Sequence, residues 1–299
     1  MDLVYRFDPF QPVVSSPVHD ADAALAALRA GNERFADIVS RMQARMLGGA
    51  AGEPLVIPMC PVSLGLPIAP GMAPRQTPFG LVLGCSDARV PTEAIFDQSF
   101  NDLFVVRIAG NVLGTECVGS IDYAVRNLGE SLKVAVVLGH SGCGAVTAAV
   151  AGHEAPADYV DIAFSNALRS LVDRIQIAVR GASKALREIA GNDVRQNPGY
   201  RKALVEVAVY LNAAVTAYDL AREIHGLGRT DLRVVYGVCD LGDLRVRALP
   251  DATVARQAGR AMFAEAPERA EDFIELGNTI SAQVIASGAL ADPGLSAHG

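Results

Sequence analysis

Basic residues are neither abundant nor clustered. There are 26 Lys and Arg against 33 Asp and Glu, a net charge of −7, and no dense basic tract. That balance excludes nucleic acid or an anionic membrane as the main partner. Cysteine is scarce: Cys60, Cys85, Cys117, Cys143 and Cys239 are odd in number and too scattered for a disulfide framework, which fits a reducing cytoplasm. No run of some 18 apolar residues is present, and the opening Met1-Asp2-Leu3-Val4-Tyr5-Arg6-Phe7-Asp8 lacks a basic region followed by an apolar one. The expectation is therefore no membrane span and no targeting segment. Neither Gly-x-x-x-x-Gly-Lys nor Gly-x-Gly-x-x-Gly occurs in a phosphate-binding context, so Gly110, Gly139, Gly142 and Gly144 are read as letting backbone pass close to a site.

What is present is a soluble-enzyme composition, 51% apolar over 299 residues, enough for a sizeable core. Residues 1–19 read as an extended arm. Asp20 or Asp22 caps a helix running to Leu47 and ended by Gly48-Gly49. Seven prolines between Glu53 and Pro78 exclude a regular element there. From Phe79, strand and helix signals alternate: strands at 79–84, 103–108 and 132–139, helices near 91–97, 117–128 and 144–151. Such alternation predicts an α/β fold, a mainly parallel sheet flanked by helices with an N-terminal helical arm, whose ligands gather at the carboxyl ends of strands. Helices at about 157–190 and 199–225 follow, then a strand, turn and return strand over Leu232 to Val246, then amphipathic helical pieces. The expected division is an arm and Pro-rich connection (1–78), a core (79–250) and a helical extension (251–299).

Two apolar runs end abruptly in chemistry. The first ends in Cys85-Ser86-Asp87-Ala88-Arg89, the second in Gly139-His140-Ser141-Gly142-Cys143-Gly144. Two thiolates and a neutral imidazole are a ligand set that zinc prefers, and three protein ligands leave a fourth position open, as catalytic zinc requires. Cys85, His140 and Cys143 are thus the expected metal ligands. The fourth ligand is either water or the carboxylate of Asp87; a bidentate Asp87–Arg89 pair would keep Asp87 off the metal. His225 falls in the last turn of a helix, where a histidine serves the carboxyl terminus. His19, His153 and His298 fall in loops or tails. Cys60, Cys117 and Cys239 read as buried small hydrophobes.

These motifs, with Leu103-Phe104-Val105-Val106-Arg107, Ala109-Gly110-Asn111 and Gly119-Ser120-Ile121-Asp122-Tyr123 between them, resemble the β-class carbonic anhydrases. Leu28-Arg29-Ala30-Gly31-Asn32-Glu33-Arg34-Phe35 is similar to that family's amino-terminal helix. The resemblance is dense from Gly80 to Val150, and the long Pro-rich connection departs from it. It implies reversible hydration of carbon dioxide to bicarbonate by zinc-bound hydroxide, with Asp87 aiming the nucleophile and Arg89 holding Asp87. It also implies Gln76 as a donor to substrate, Phe104 and Tyr123 as apolar walls from a neighbouring subunit, Gly144 among the substrate contacts, and a homodimer or higher even oligomer. Two thiolates neutralise the zinc charge, so the active form is expected at mildly alkaline pH. Carbonyl sulfide or carbon disulfide hydrolysis, and an inactive zinc-stabilised binding or sensor protein, are the rival expectations.

Overall fold

Every position of the strands Gly80–Gly84 (β3) and Val134–His140 (β5) is buried, the pattern of parallel strands covered on both faces. The computed structural model describes residues 3–6, 18–48, 54–58, 71, 73–158, 165–250 and 261–291. Its main sheet has the order β4-β3-β5-β6-β7, with β4 at Leu103–Arg107, β6 at Arg233–Cys239 and β7 at Val246–Arg247. β3, β4, β5 and β6 are parallel, and β7 returns antiparallel to β6. From β3 the chain passes to β4 on one side and then to β5 on the other. The loops leaving β3 and β5 therefore diverge and open a crevice at their carboxyl ends, where an α/β sheet binds its ligand.

Side chains alternate across the sheet and feed two cores. Leu81, Leu83, Ala135 and Val137 pack with α3 (Thr115–Asn127), α4 (Gly144–Glu154), α5 (Asn166–Ala190) and α6 (Tyr200–Gly226). Val82, Val134, Val136 and Leu138 face α1 (Ala21–Gly48) and the single turn α2 (Thr92–Ile95). The final helix, α7 (Ala270–Ala286), adds Ile280 and Val284 to the first core. By length and composition α6 could cross a membrane, but 72% of its most apolar window is buried against the sheet and its neighbouring helices. It is the core helix of the fold.

α1 begins as expected: the Asp20 carboxylate accepts a 2.8 Å hydrogen bond from the Ala23 amide. Gly31 lets it lie directly on the turn after α2, since a Cβ there would stand 1.7 Å from the Phe96 carbonyl oxygen. Next to it the buried Asn32 donates to the Ile95 and Leu244 carbonyls and accepts from the Val246 amide. One side chain thus ties the arm to α2 and to the β6–β7 turn. Beyond Ala36 no residue of α1 is buried.

The structure corrects two sequence expectations. Residues Leu55–Pro58 form a strand (β2), paired in parallel with Leu3–Arg6 (β1), although the proline content argued against any regular element. Leu55-Val56-Ile57 is itself a short strand-forming run, and proline falls only at its end. His153 lies in the last turn of α4 rather than in a loop, because that helix continues through Gly152 to Glu154. Cys60 and His298 lie outside the described residues.

Candidate metal centre

β3 delivers Cys85 one residue past its end, and β5 ends on His140 itself. Cys143 follows as the residue capping α4. The tight turn between them passes through Gly142 at φ 62, a left-handed conformation that glycine adopts without strain. All three side chains are buried, His140 completely. Their ligand atoms lie within 4.8 Å of one another.

The spacing fits a tetrahedral ion. The two Sγ atoms are 4.0 Å apart, and zinc–sulfur bonds of ordinary length would set them about 3.8 Å apart. His140 Nδ1 lies 3.0 Å from the Ser141 carbonyl oxygen, which fixes that nitrogen as the protonated one. Nε2 is then left with a lone pair, and it is buried without a hydrogen-bond partner. A buried unpaired acceptor costs free energy, and a metal facing two sulfurs removes that cost. Without a metal the two sulfurs share one proton, so one of them is already a thiolate. A Cys143 S–H directed at the Cys85 sulfur drives Cys85 down, while that sulfur and burial drive Cys143 up.

Asp87 and Arg89 stand at the mouth. Arg89 Nε and Nη2 reach Oδ1 and Oδ2 of Asp87 at 3.0 and 2.7 Å, and the Arg89 amide adds a third bond at 2.9 Å. These donors hold the Asp87 carboxyl far below the usual carboxylate range. Its Oδ2 is also 3.8 Å from His140 Nε2, so the carboxylate faces the ligand cluster while its oxygens remain engaged by Arg89.

The other expected site residues are dispersed. Gln76 is exposed on the approach to β3. Phe104 is half-buried on β4, the edge strand, and Tyr123 is 54% exposed on α3. Gly144 opens α4 beside Cys143, is exposed, and has open space where a Cβ would stand. Of the glycines expected to pass near the site, Gly110 does so, its amide donating to Cys85 Sγ at 3.3 Å. At Gly139 a Cβ would meet Ala213 Cβ at 3.4 Å, an ordinary contact, so nothing there requires glycine.

One contributor had gone unassigned. Arg107, at the end of β4, donates from Nε to the Cys85 carbonyl at 2.9 Å and from Nη2 to the Asp87 carbonyl at 2.5 Å. It clamps the loop that carries both the ligand and the carboxylate. A guanidinium closing an apolar parallel strand was the available signal. A cleft of about 440 Å³ between α5, α6 and α7, with Val112 and Leu113 on its wall, contains none of Cys85, His140 and Cys143.

The sequence profile described as carbonic anhydrase matches residues 80–228. A carbonic anhydrase of Mycolicibacterium smegmatis is 36% identical over 174 residues, covering 57% of this chain and 68% of that protein. Carbonic anhydrase 2 of Mycobacterium tuberculosis is 41% identical over 129 residues, covering 43% of this chain. The matched stretch spans about half, 52%, of the length of that relative. Among solved structures, one of two tetrameric β-carbonic anhydrases from Sordaria macrospora aligns at 23% identity with a TM-score of 0.46, over 58% of this chain and 81% of that one.

Proposed function

Since the chain belongs to the β-class carbonic anhydrase family, we propose that it catalyses the reversible hydration of carbon dioxide, with zinc held by Cys85, His140 and Cys143. The observation that carries this reading is the bidentate Asp87–Arg89 pair facing a buried set of three ligands. A zinc site that is only structural closes with four protein ligands and has no use for a carboxylate held back beside it. Zinc, when bound, supplies the Lewis acid that makes water nucleophilic near neutral pH.

The chain's own residues supply the rest. Asp87, kept ionised by Arg89, can only accept a hydrogen bond. A nucleophile that gives its hydrogen to Asp87 has its lone pair aimed elsewhere, toward the carbon of the substrate. Arg89 holds the carboxylate off the metal, and Arg107 holds the backbone beneath both. Gln76, Phe104, Tyr123 and Gly144 are proposed as the substrate contacts. That Gln76 and Tyr123 are exposed in the single chain supports a site completed by a second copy, and so a homodimer or larger even oligomer. The division at residues 78 and 250 and a cytoplasmic location belong to the same reading; free thiols at Cys85, Cys117, Cys143 and Cys239 suit a reducing compartment.

The deciding experiment combines metal content with stopped-flow assays on carbon dioxide, carbonyl sulfide and carbon disulfide. One zinc per chain and rapid hydration of carbon dioxide are expected. Turnover of a sulfur substrate alone, or zinc with no turnover, would overturn the assignment.

A further inference from the structure

The two sulfurs of the site are supported differently. Cys143 caps α4, so its sulfur stands at the amino-terminal end of that helix. Cys85 has no helix behind it. Its sulfur accepts from the amide of Gly110, 3.3 Å away, and Gly110 lies in an irregular turn at φ 69, ψ 16, between β4 and α3. That conformation is open to glycine and must be fixed from outside if the amide is to stay on the sulfur.

Two contacts fix it. A Cβ on Gly110 would stand 2.8 Å from Ile175 Cδ1 and 3.1 Å from Ala145 Cβ, so the turn is wedged between α5 and α4. On its other side, the side-chain amide of Asn212 donates to the Gly110 carbonyl at 2.8 Å. Asn212 is 3% exposed in the middle of α6, among Leu211, Ala213 and Ala214, where a polar side chain is otherwise out of place. It is remote from the ligands in sequence and touches the site only through this carbonyl.

We propose that Asn212 is a positioning residue which, by holding the Gly110 turn, keeps the Gly110 amide on the Cys85 sulfur and thereby sets how strongly that thiolate donates to the metal. An N–H···S bond withdraws charge from the sulfur. Cys143 then has a helix end behind it, and Cys85 has the Gly110 amide, held through Asn212. Partners of this outer kind tune metal affinity by about 10- to 100-fold. The proposal rests on Cys85 being a metal ligand and is independent of which substrate is turned over.

The test uses full-length protein loaded with cobalt(II), in the wild type and in Asn212→Leu, which keeps the approximate shape and removes the donor. Asn212→Gln, which retains an amide, serves as the conservative variant. In Asn212→Leu the thiolate-to-cobalt charge-transfer band should move to lower energy, the zinc dissociation constant should rise about 10-fold or more, and the pH midpoint of hydration should move upward with KM unchanged. Asn212→Gln should recover part of each change. A role confined to packing would lower the melting temperature without moving the band, and a folded Asn212→Leu with wild-type band and zinc affinity overturns the proposal. A wild-type protein showing no thiolate band overturns the metal assignment and this proposal together. Should Asn212→Leu fail to fold, wild-type protein loaded with cadmium-113 decides the matter: a scalar coupling from the Gly110 amide proton to the metal, through the Cys85 sulfur, is expected, and its absence overturns the proposal.

Discussion

Asp87 and Arg89 make separate contributions that substitution can tell apart. In Arg89→Ala the carboxylate is released beside His140 and free to bind the metal, so zinc content should stay near one per chain while hydration collapses. In Asp87→Ala zinc should also stay, and hydration should fall on the order of a hundredfold or more through loss of one positioned acceptor. Cobalt spectra should show four protein ligands in the first variant and three plus solvent in the second. Near-wild-type rates in both would reduce the pair to a structural salt bridge. Cys85→Ser and His140→Ala should each lose most of the metal; full zinc in both would refute the ligand set. The pair also predicts an acid limit. Asp87 has a folded-state pKa below its unfolded value, so its contribution is complete above an ordinary carboxylate pKa near 4 and is lost as pH falls below it. Asp87→Asn should therefore flatten the acid arm of a stability–pH curve, and an unchanged arm would exclude Asp87 as its source.

At the scale of elements, the alternation of strand and helix from Phe79 to Asn127 was legible because parallel strands buried on both faces announce themselves as apolar runs. So was the grouping of Cys85, His140 and Cys143, because thiol and imidazole sit in two short motifs at strand ends. Arg107 was marked only as a guanidinium closing an apolar strand and Asn212 not at all, since their partners are backbone carbonyls. The β1–β2 pair was hidden by Pro54 before a four-residue strand and Pro58 at its end. Asn32 was visible only as part of a helix, yet three backbone groups, two buried and one part-buried, depend on it. Asn32→Ala leaves them unpaired, at about 1–3 kcal/mol each. Denaturant unfolding should show a loss of at least about 3 kcal/mol, and a loss under 1 kcal/mol would mean that water or a shifted α1 replaces those bonds.

Across the whole molecule, one part-buried carboxyl sets a different pH response. Glu206, on α6 and facing Asp240 and Lys202, is pushed up to about 7, chiefly by burial and next by Asp240. An unfolded carboxyl near 4.3 ionises first, so this group lowers stability as pH rises from there to 7, with no further change above. Glu206→Gln should accordingly raise the melting temperature at pH 8 and leave it unaltered at pH 4; an equal shift at both would locate the effect in packing instead. Oligomerisation is tested at the same scale: if Phe104 and Tyr123 serve a neighbouring copy, a variant made monomeric should lose hydration, and a fast monomer in sedimentation would refute that arrangement. The placement of Cys85 just after β3, and of His140 and Cys143 at and after the end of β5, has, finally, a consequence in time. While the chain is being synthesised, Cys85 emerges with no partner, and neither His140 nor Cys143 is available until β4, α3 and β5 have followed it. A nascent chain halted before β5 should hold no zinc at this site, however much metal is supplied, so metal capture must follow the central strand pairing and then locks it.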